Sequence, residues 1–253
     1  MNSLYHNTFK DMMNDKLPQL AILGGTGDLG TGLARRWAVA GFQVIIGSRC
    51  LDKANAALSD LRRVMAERGV ASFNVRAMDN LAAAQAADIV ALTVPFSHQV
   101  STLESVRPAL KGKILIDVTV PLVPPKVARV QLPPQGSAGQ IAQALLGEDV
   151  RVVSAFQNVA AHHLQEGHGL DCDVLVCGDN KEARAEVIKL VEAAGMHGIH
   201  AGSIANAAAI EALTSVLIFI NKQYNCQAGI RVTGWNTQDS VAENRLADGS
   251  RAK

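Results

Sequence analysis

Aromatic residues are scarce in this chain: ten of 253 positions, or 4%. So few rings do not build a base-stacking platform for single-stranded nucleic acid. An excess of charge is missing too, since 24 basic residues face 23 acidic ones for a net charge of +1. That balance leaves no basic footprint for nucleic acid and no polybasic membrane patch. The four cysteines, Cys50, Cys172, Cys177 and Cys226, match neither a disulfide framework nor a zinc spacing. They read as reduced thiols of a cytoplasmic protein. No apolar leader core is visible at the start, where Met1 to Leu17 is polar, unpatterned and expected to fray. The longest apolar stretch, Ala205 to Ile220, has 16 residues and carries Glu211, which suits a buried helix better than a membrane span.

Alanine is what the chain has in quantity: 38 residues in a sequence that is 48% hydrophobic. Small side chains in a core of this size favour close helix–sheet packing. The length allows one large domain, or a domain with a smaller appendage.

Along the first half, short β-branched runs alternate with segments of helical period. Gln19–Leu23 reads as a buried strand, Leu29, Leu33, Trp37 and Ala40 as one face of a helix, and Gly41 as its terminator. Phe42–Gly47 is a second strand, Leu51–Arg68 a helix closed by Gly69, and Phe73, Val75 and Ala77 an alternating third strand. Asp88–Val94 and Lys113–Val118 are two more strands, with a helix from His98 to Leu110 between them. This alternation predicts an α/β fold with a doubly wound parallel sheet of the Rossmann type. Five prolines make Pro121–Gly136 an irregular excursion, after which Ser137 caps a helix over Ala138–Leu146. Arg151–Phe156 extends the sheet. A strand at Asp173–Gly178, a helix at Lys181–Ala194, a strand at Gly198–Ala201 and a helix at Ile204–Asn225 form a small C-terminal α/β unit. The expected division is a tail over 1–17, a dinucleotide-binding domain over 18–158, a small domain over 159–233 and a polar tail over 234–253.

The densest local signal is Gly25-Thr26-Gly27-Asp28-Leu29-Gly30, a G-x-G-x-x-G set between the first strand and the first helix. There the first glycine permits a tight turn, the second lets a pyrophosphate approach the backbone, and the third lets helix and strand pack closely. The N–H groups opening the helix then receive the phosphate charge. A tight turn without ligand is the competing reading. The second strand ends in Gly47-Ser48-Arg49, with Lys53 one helical turn later and no acid before Asp52. A hydroxyl and two cations suit the 2′-phosphate of NADP, where an NAD site would place a carboxylate. A solvated basic helix start is the alternative, although cations sit poorly against a helix N-terminus unless an anion joins them. Thr93-Val94-Pro95-Phe96 closes the fourth strand at the carboxyl edge, where open α/β sheets bind ligands.

These strings, Gly24 to Gly30, Gly47-Ser48-Arg49 with Lys53, and Leu92 to His98, resemble the NADPH-dependent reductases of coenzyme F-420, an 8-hydroxy-5-deazaflavin. So do Pro121-Leu122-Val123-Pro124, Ser137-Ala138, Val152 to Ala155, Val176 to Asp179 and Glu211-Ala212-Leu213-Thr214, a span from about Leu20 to Val232. The resemblance implies a homodimer that moves a hydride between NADP(H) and the deazaflavin. It also implies a pyrophosphate loop at Thr26–Leu29 and a 2′-phosphate clamp of Ser48, Arg49 and Lys53. Val94, Phe96 and His98 would wall the adenine and ribose, and Thr93 and Pro95 of the same strand end are further candidates to bind the cofactor. Val159 and Ala161 would line the two reacting rings. Family members often carry His-Thr or His-Asn followed by a proline where this chain reads Gln157-Asn158-Val159-Ala160-Ala161, and some carry an arginine at Ala208.

Hydride transfer between flat rings needs closeness and exclusion of water, not a nucleophile. Pro121, Val159 and Ala160 supply a small apolar surface for that, and Gln157 and Asn158 are candidates to hydrogen-bond a ring carbonyl; no general acid is assigned. A reductase of a small carbonyl or imine would need a proton donor, for which His162 and His163 are nearest. A non-catalytic NADP sensor is a third reading. His162, His163, His168 and Cys172 fall within 11 positions but match no metal-site spacing, so no metal is expected.

Overall fold

The computed structural model describes residues 17–70, 72–166 and 170–234. His168 and the two expected tails, apart from Leu17 and Gly234, lie outside the described residues. Eight strands form one sheet in the order β3-β2-β1-β4-β5-β6-β7-β8. They are β1 (Leu20–Leu23), β2 (Val44–Ser48), β3 (Val75–Asp79), β4 (Ile89–Leu92), β5 (Ile114–Asp117), β6 (Arg151–Ser154), β7 (Asp173–Gly178) and β8 (His197–His200). The helices are α1 (Asp28–Val39), α2 (Leu51–Glu67), α3 (Asn80–Ala86), α4 (Gln99–Val106), α5 (Ala138–Leu146), α6 (Ala161–Leu164), α7 (Lys181–Ala193) and α8 (Ala207–Tyr224).

The first six strands are parallel, with Leu20 of β1 facing Val44 on one side and Ile89 on the other. Every residue of β1, β4 and β5 is buried, as strands covered on both faces must be. Alternate side chains feed two cores. Leu20 and Ile22 meet Leu33 and Trp37 of α1, Leu58 and Met65 of α2 and Val187 and Leu190 of α7. Ala21 and Leu23 belong to the opposite core with Ala83 and Ala84 of α3, Leu103 and Val106 of α4, Ala142 of α5 and Ile210 of α8. The alanines do what their abundance suggested, letting helices sit close on the sheet.

The C-terminal strands continue this sheet. Val153 and Ser154 of β6 pair antiparallel with Gly178 and Cys177 of β7, and β8 then runs parallel to β7. Several elements differ from expectation, among them the unanticipated short helix α6 and the third strand, which runs over Val75–Asp79 rather than from Phe73. The short helix α3 was not anticipated. The His98–Leu110 segment is an α-helix flanked by two 3-10 turns, Phe96–His98 and Arg107–Ala109, the second containing Pro108. The last strand sits one residue earlier, at His197–His200. The apolar C-terminal helix is also longer than its 16-residue run: Ile204–Tyr224 is a 21-residue helical stretch whose most apolar 18 residues have a mean hydropathy of 1.6. By length and composition alone it is sufficient to cross a membrane. Its inner face is nevertheless committed to the fold through Ile210, Glu211 and Leu217, all buried.

Candidate functional site

The strand order reverses between β1 and β4, which opens a crevice at their carboxyl ends, the usual ligand position in such sheets. The glycine-rich turn and Thr93 meet there. Thr93 donates to the Leu23 carbonyl from both its N–H, at 2.9 Å, and its Oγ1, at 3.0 Å. Gly25 N–H reaches the Gly47 carbonyl at 3.0 Å, and Gly24 N–H reaches Asn80 Oδ1 at 3.4 Å. Buried Asn80, which opens α3, was not singled out in the sequence.

The glycines divide by what their missing side chains would meet. A Cβ on Gly25 would lie 2.7 Å from the Ile22 carbonyl oxygen, and one on Gly30 would lie 2.6 Å from Gly25 Cα. The protein itself demands those two. A Cβ on Gly27 would meet nothing within 4 Å, and the backbone there (φ −85°, ψ 171°) is open to any residue. The space beside Gly27 therefore faces outward, where a ligand would approach. Gly27 is the N-cap of α1 and offers no side chain to its first N–H groups, which leaves them for an anion. Thr26 is half-buried, while Gly27 and Asp28 are exposed and Leu29 packs against the core.

At the end of β2, Ser48 is buried and its Oγ accepts from Cys50 N–H at 3.2 Å. Arg49 and Lys53 are exposed, at the start of α2, which has no side-chain cap. Among the described residues neither cation has a hydrogen-bond or ion-pair partner. Two unpaired cations at a helix N-terminus oppose its dipole until an anion arrives. After β4, Val94 packs so closely that a Cβ on Gly24 would fall 2.4 Å from its Cγ1. Pro95 is exposed, and half-buried Phe96 and His98 bound the following turn.

The ends of β5 and β6 carry a buried polar network that sequence reasoning largely missed. Asp117 accepts from Gln99 Nε2 at 2.5 Å, Thr119 N–H at 2.9 Å and Thr119 Oγ1 at 2.7 Å. Burial pushes its carboxyl up to about 6 against the pull of those bonds. Glu211 of α8 accepts from Ala138 N–H at 2.7 Å and Gly139 N–H at 3.0 Å, capping α5 alongside Ser137. Burial pushes Glu211 up to about 8, against the pull of these two amides.

Phe156, buried edge-on against Trp37, has a φ of 72° and turns the chain out of β6 into Gln157–Ala161. A bulky residue at positive φ is a real outlier, and such strain gathers at functional turns. Gln157 Nε2 donates to the Asp117 carbonyl and to Ser154 Oγ, both at 2.8 Å. Asn158 Nδ2 donates to the Ile210 carbonyl and to Thr214 Oγ1, both at 3.0 Å. Each amide faces a main-chain carbonyl, which only accepts, so its nitrogen is fixed there. The expected donation to a ring carbonyl is thus corrected: both donors are spent on the protein, and the unpartnered atoms are the buried oxygens Gln157 Oε1 and Asn158 Oδ1. Val159, Ala160 and Ala161 are half-buried beyond them, and Pro121 is buried in the loop that follows β5. A cleft of about 290 Å³ is lined by Asn158, Val159 and Ala160 together with Gln227, Ala228 and Gly229. His163 Nδ1 lies 3.2 Å from Glu166 and exposed His162 lies 4.0 Å from it. No cluster of three or more metal-ligating side chains occurs among the described residues.

Fold and site together define a dinucleotide-binding α/β protein with its ligand crevice at the β1/β4 reversal. Residues 19–121 match the family model described as NADP oxidoreductase, coenzyme F420-dependent. The chain is 39% identical over 221 residues to the F420-dependent NADP reductase of Methanocaldococcus jannaschii, which spans 85% of this chain and 98% of that one. It is 40% identical over 222 residues to the enzyme of that name from Methanothermobacter marburgensis, with the same coverage. A solved Arthrobacter structure assigned to the F420-dependent NADP reductases matches with a TM-score of 0.71 at 24% identity, covering 85% of this chain and all of that one. A reductive aminase from Aspergillus terreus shares the fold at a TM-score of 0.57 and 18% identity, over 83% of this chain and 62% of that one. The chain belongs to the F420-dependent NADP oxidoreductase family.

Proposed function

We propose that this protein transfers a hydride between NADP(H) and coenzyme F-420 by direct ring-to-ring transfer. Family membership supports the reaction, and one observation of this chain carries the nucleotide half. The missing side chain of Gly27 opens onto free space, beside the uncapped start of α1. In this reading Thr26–Leu29 hold the pyrophosphate, and Ser48, Arg49 and Lys53 clamp the 2′-phosphate through charge-assisted hydrogen bonds. Thr93, Val94, Pro95, Phe96 and His98 wall the adenosine side, and Gly25 and Gly30 shape the turn. NADPH held by these residues would supply a hydride and become NADP⁺, and the deazaflavin would take up that hydride together with one proton from solvent.

The remaining residues position and exclude. Ala161, Val159, Ala160 and Pro121 present small apolar surfaces, so that two flat rings approach without an intruding side chain. Gln157 Oε1 and Asn158 Oδ1 are acceptors, suited to an amide or ring N–H. Residues 18–158 serve as the nucleotide-binding unit and 159–233 as the unit that completes the acceptor side. The protein works in the cytoplasm as a homodimer. The exposed apolar side of α8, with Val216 and Phe219, supports that assembly.

Mixing the protein with NADPH and oxidised coenzyme F-420 tests the proposal. Loss of the deazaflavin's visible absorbance is expected; none at saturating NADPH would overturn it in favour of a carbonyl or imine substrate, or of binding without turnover.

A further inference from the structure

Between the nucleotide turn and the acceptor segment lies a joint that neither function absorbs. Helix α6 has only four residues and ends at Gln165, so its last carbonyls need partners from elsewhere. Arginines supply them. Arg36 donates through Nε to Leu164 O at 3.1 Å and through Nη2 to His163 O at 2.9 Å and Glu166 O at 3.1 Å. Arg35 donates to Leu164 O and, at 3.2 Å, to Glu166 O, and Arg68 reaches Gln165 O at 2.7 Å. Both Arg35 and Arg36 belong to α1, the helix whose first turn carries the nucleotide loop. A Cβ on Gly32 of α1 would lie 2.6 Å from Leu164 Cβ, so the two helices touch without room to slide.

Gln165 makes the joint specific. Its Nε2 donates to Asp28 O at 2.7 Å and to Thr31 Oγ1 at 3.1 Å, while its Oε1 accepts from Arg35 Nη1 at 3.2 Å. A carbonyl on one side and a guanidinium on the other leave the amide one orientation. One side chain thereby joins the first residue of α1 to the segment that follows Val159–Ala161.

We infer that Gln165 is a positioning residue that locks the Val159–Ala161 wall to the first turn of α1, so that filling the nucleotide loop and fixing the acceptor wall are one event. The inference rests on the NADP reading of Thr26–Leu29. Phosphate oxygens on the N–H groups of that turn hold the peptide of Asp28 still, and the bond from Gln165 passes the restraint to α6. The acceptor wall is then held more firmly in the nucleotide-bound protein, which favours NADP(H) binding first.

Backbone hydrogen exchange with NADP⁺ alone tests this without turnover. In the wild-type protein NADP⁺ is expected to slow exchange in both 26–31 and 161–166, by at least about 5-fold in the second segment, the lower end of ordinary site coupling. Gln165→Ala should keep protection at 26–31 and lose it at 161–166. Gln165→Glu keeps the size and the Arg35 contact but no longer donates to Asp28, so it should behave like Gln165→Ala if the donated bond is the link. Protection at 161–166 that survives in both variants overturns the inference, as does its absence from the wild type when 26–31 is protected. Absence of protection at both segments would instead remove the NADP reading, and the coupling with it. In steady state the variants should raise KM for the deazaflavin more than Kd for NADPH; a loss of stability alone would not produce that split.

Discussion

Three glycines of one motif answer to different constraints. Gly25 and Gly30 are dictated by neighbouring backbone, whereas Gly27 faces open space. Gly30→Ala forces a Cβ to 2.6 Å from Gly25 Cα and should cost about 1–3 kcal/mol in denaturant unfolding. Serine is a favoured N-cap, so Gly27→Ser should leave stability within about 0.5 kcal/mol. The same change puts a side chain where phosphate would approach, and should weaken NADPH binding by about 10-fold or more, roughly 1.4 kcal/mol. A Gly27→Ser protein that binds NADPH normally would mean that the loop holds no pyrophosphate. Arg49→Ala removes one of the two unpaired cations at the start of α2. At about 1.5–3 kcal/mol for a charge-assisted bond, Kd for NADPH should rise roughly 10- to 150-fold while NADH affinity barely moves. Unchanged NADPH affinity in Arg49→Ala would refute the clamp.

At the scale of elements, the sequence revealed strands and long helices because burial imposes their periods. It hid α3 because the inward positions of this seven-residue helix, though at helical spacing, are filled by polar Asn80 and small Ala83 and Ala84, which give no hydrophobic contrast with the alanines around them; its clearest cue was Asp79, whose Oδ1 caps Ala82 N–H at 2.9 Å. It hid the reversed direction of β7, since a strand's residues do not encode which neighbour it pairs with. The candidate nucleotide site was readable from the sequence because its segments are short and local: a turn, a strand end, a helix start. The network of Gln99, Asp117, Gln157 and Glu211 was not, because its members come from four separate elements and meet only through the fold. Glu211 looked like a polar interruption in an apolar run, yet it ties α8 to α5. Its carboxyl is raised to about 8 and that of Asp117 to about 6, both by burial. A group whose pKa is raised on folding contributes stability that is complete below its unfolded pKa and is lost as pH rises through the folded one. The melting temperature should therefore fall between about pH 5 and pH 8. Glu211→Gln, which cannot titrate, should flatten the decline above about pH 6. An equal slope in the variant would show that another group sets it.

For the molecule as a whole, the apolar helix poses the remaining demand. Glu211, Ser215 and Leu217 of α8 turn inward, while Val216 is 43% and Phe219 55% exposed. Only a third of the most apolar window of Ile204–Tyr224 is buried. Ser215 Oγ donates to the Arg129 carbonyl at 3.2 Å, which brings the proline-punctuated excursion against α8. Val130 and Leu132 of that excursion are exposed too. An uncovered apolar surface of this kind calls for a partner, and a second copy related by a two-fold axis would cover both faces with one interface. Phe219→Glu places a charge on that face while leaving the inward residues untouched, so the protomer should fold and the dimer should fail. Sedimentation velocity should give a dimer for the wild type and a monomer for Phe219→Glu, with unchanged far-ultraviolet circular dichroism. A wild-type monomer that floats with neutral lipid vesicles would assign the face to a bilayer, and a monomer without lipid affinity would leave the homodimer proposal refuted.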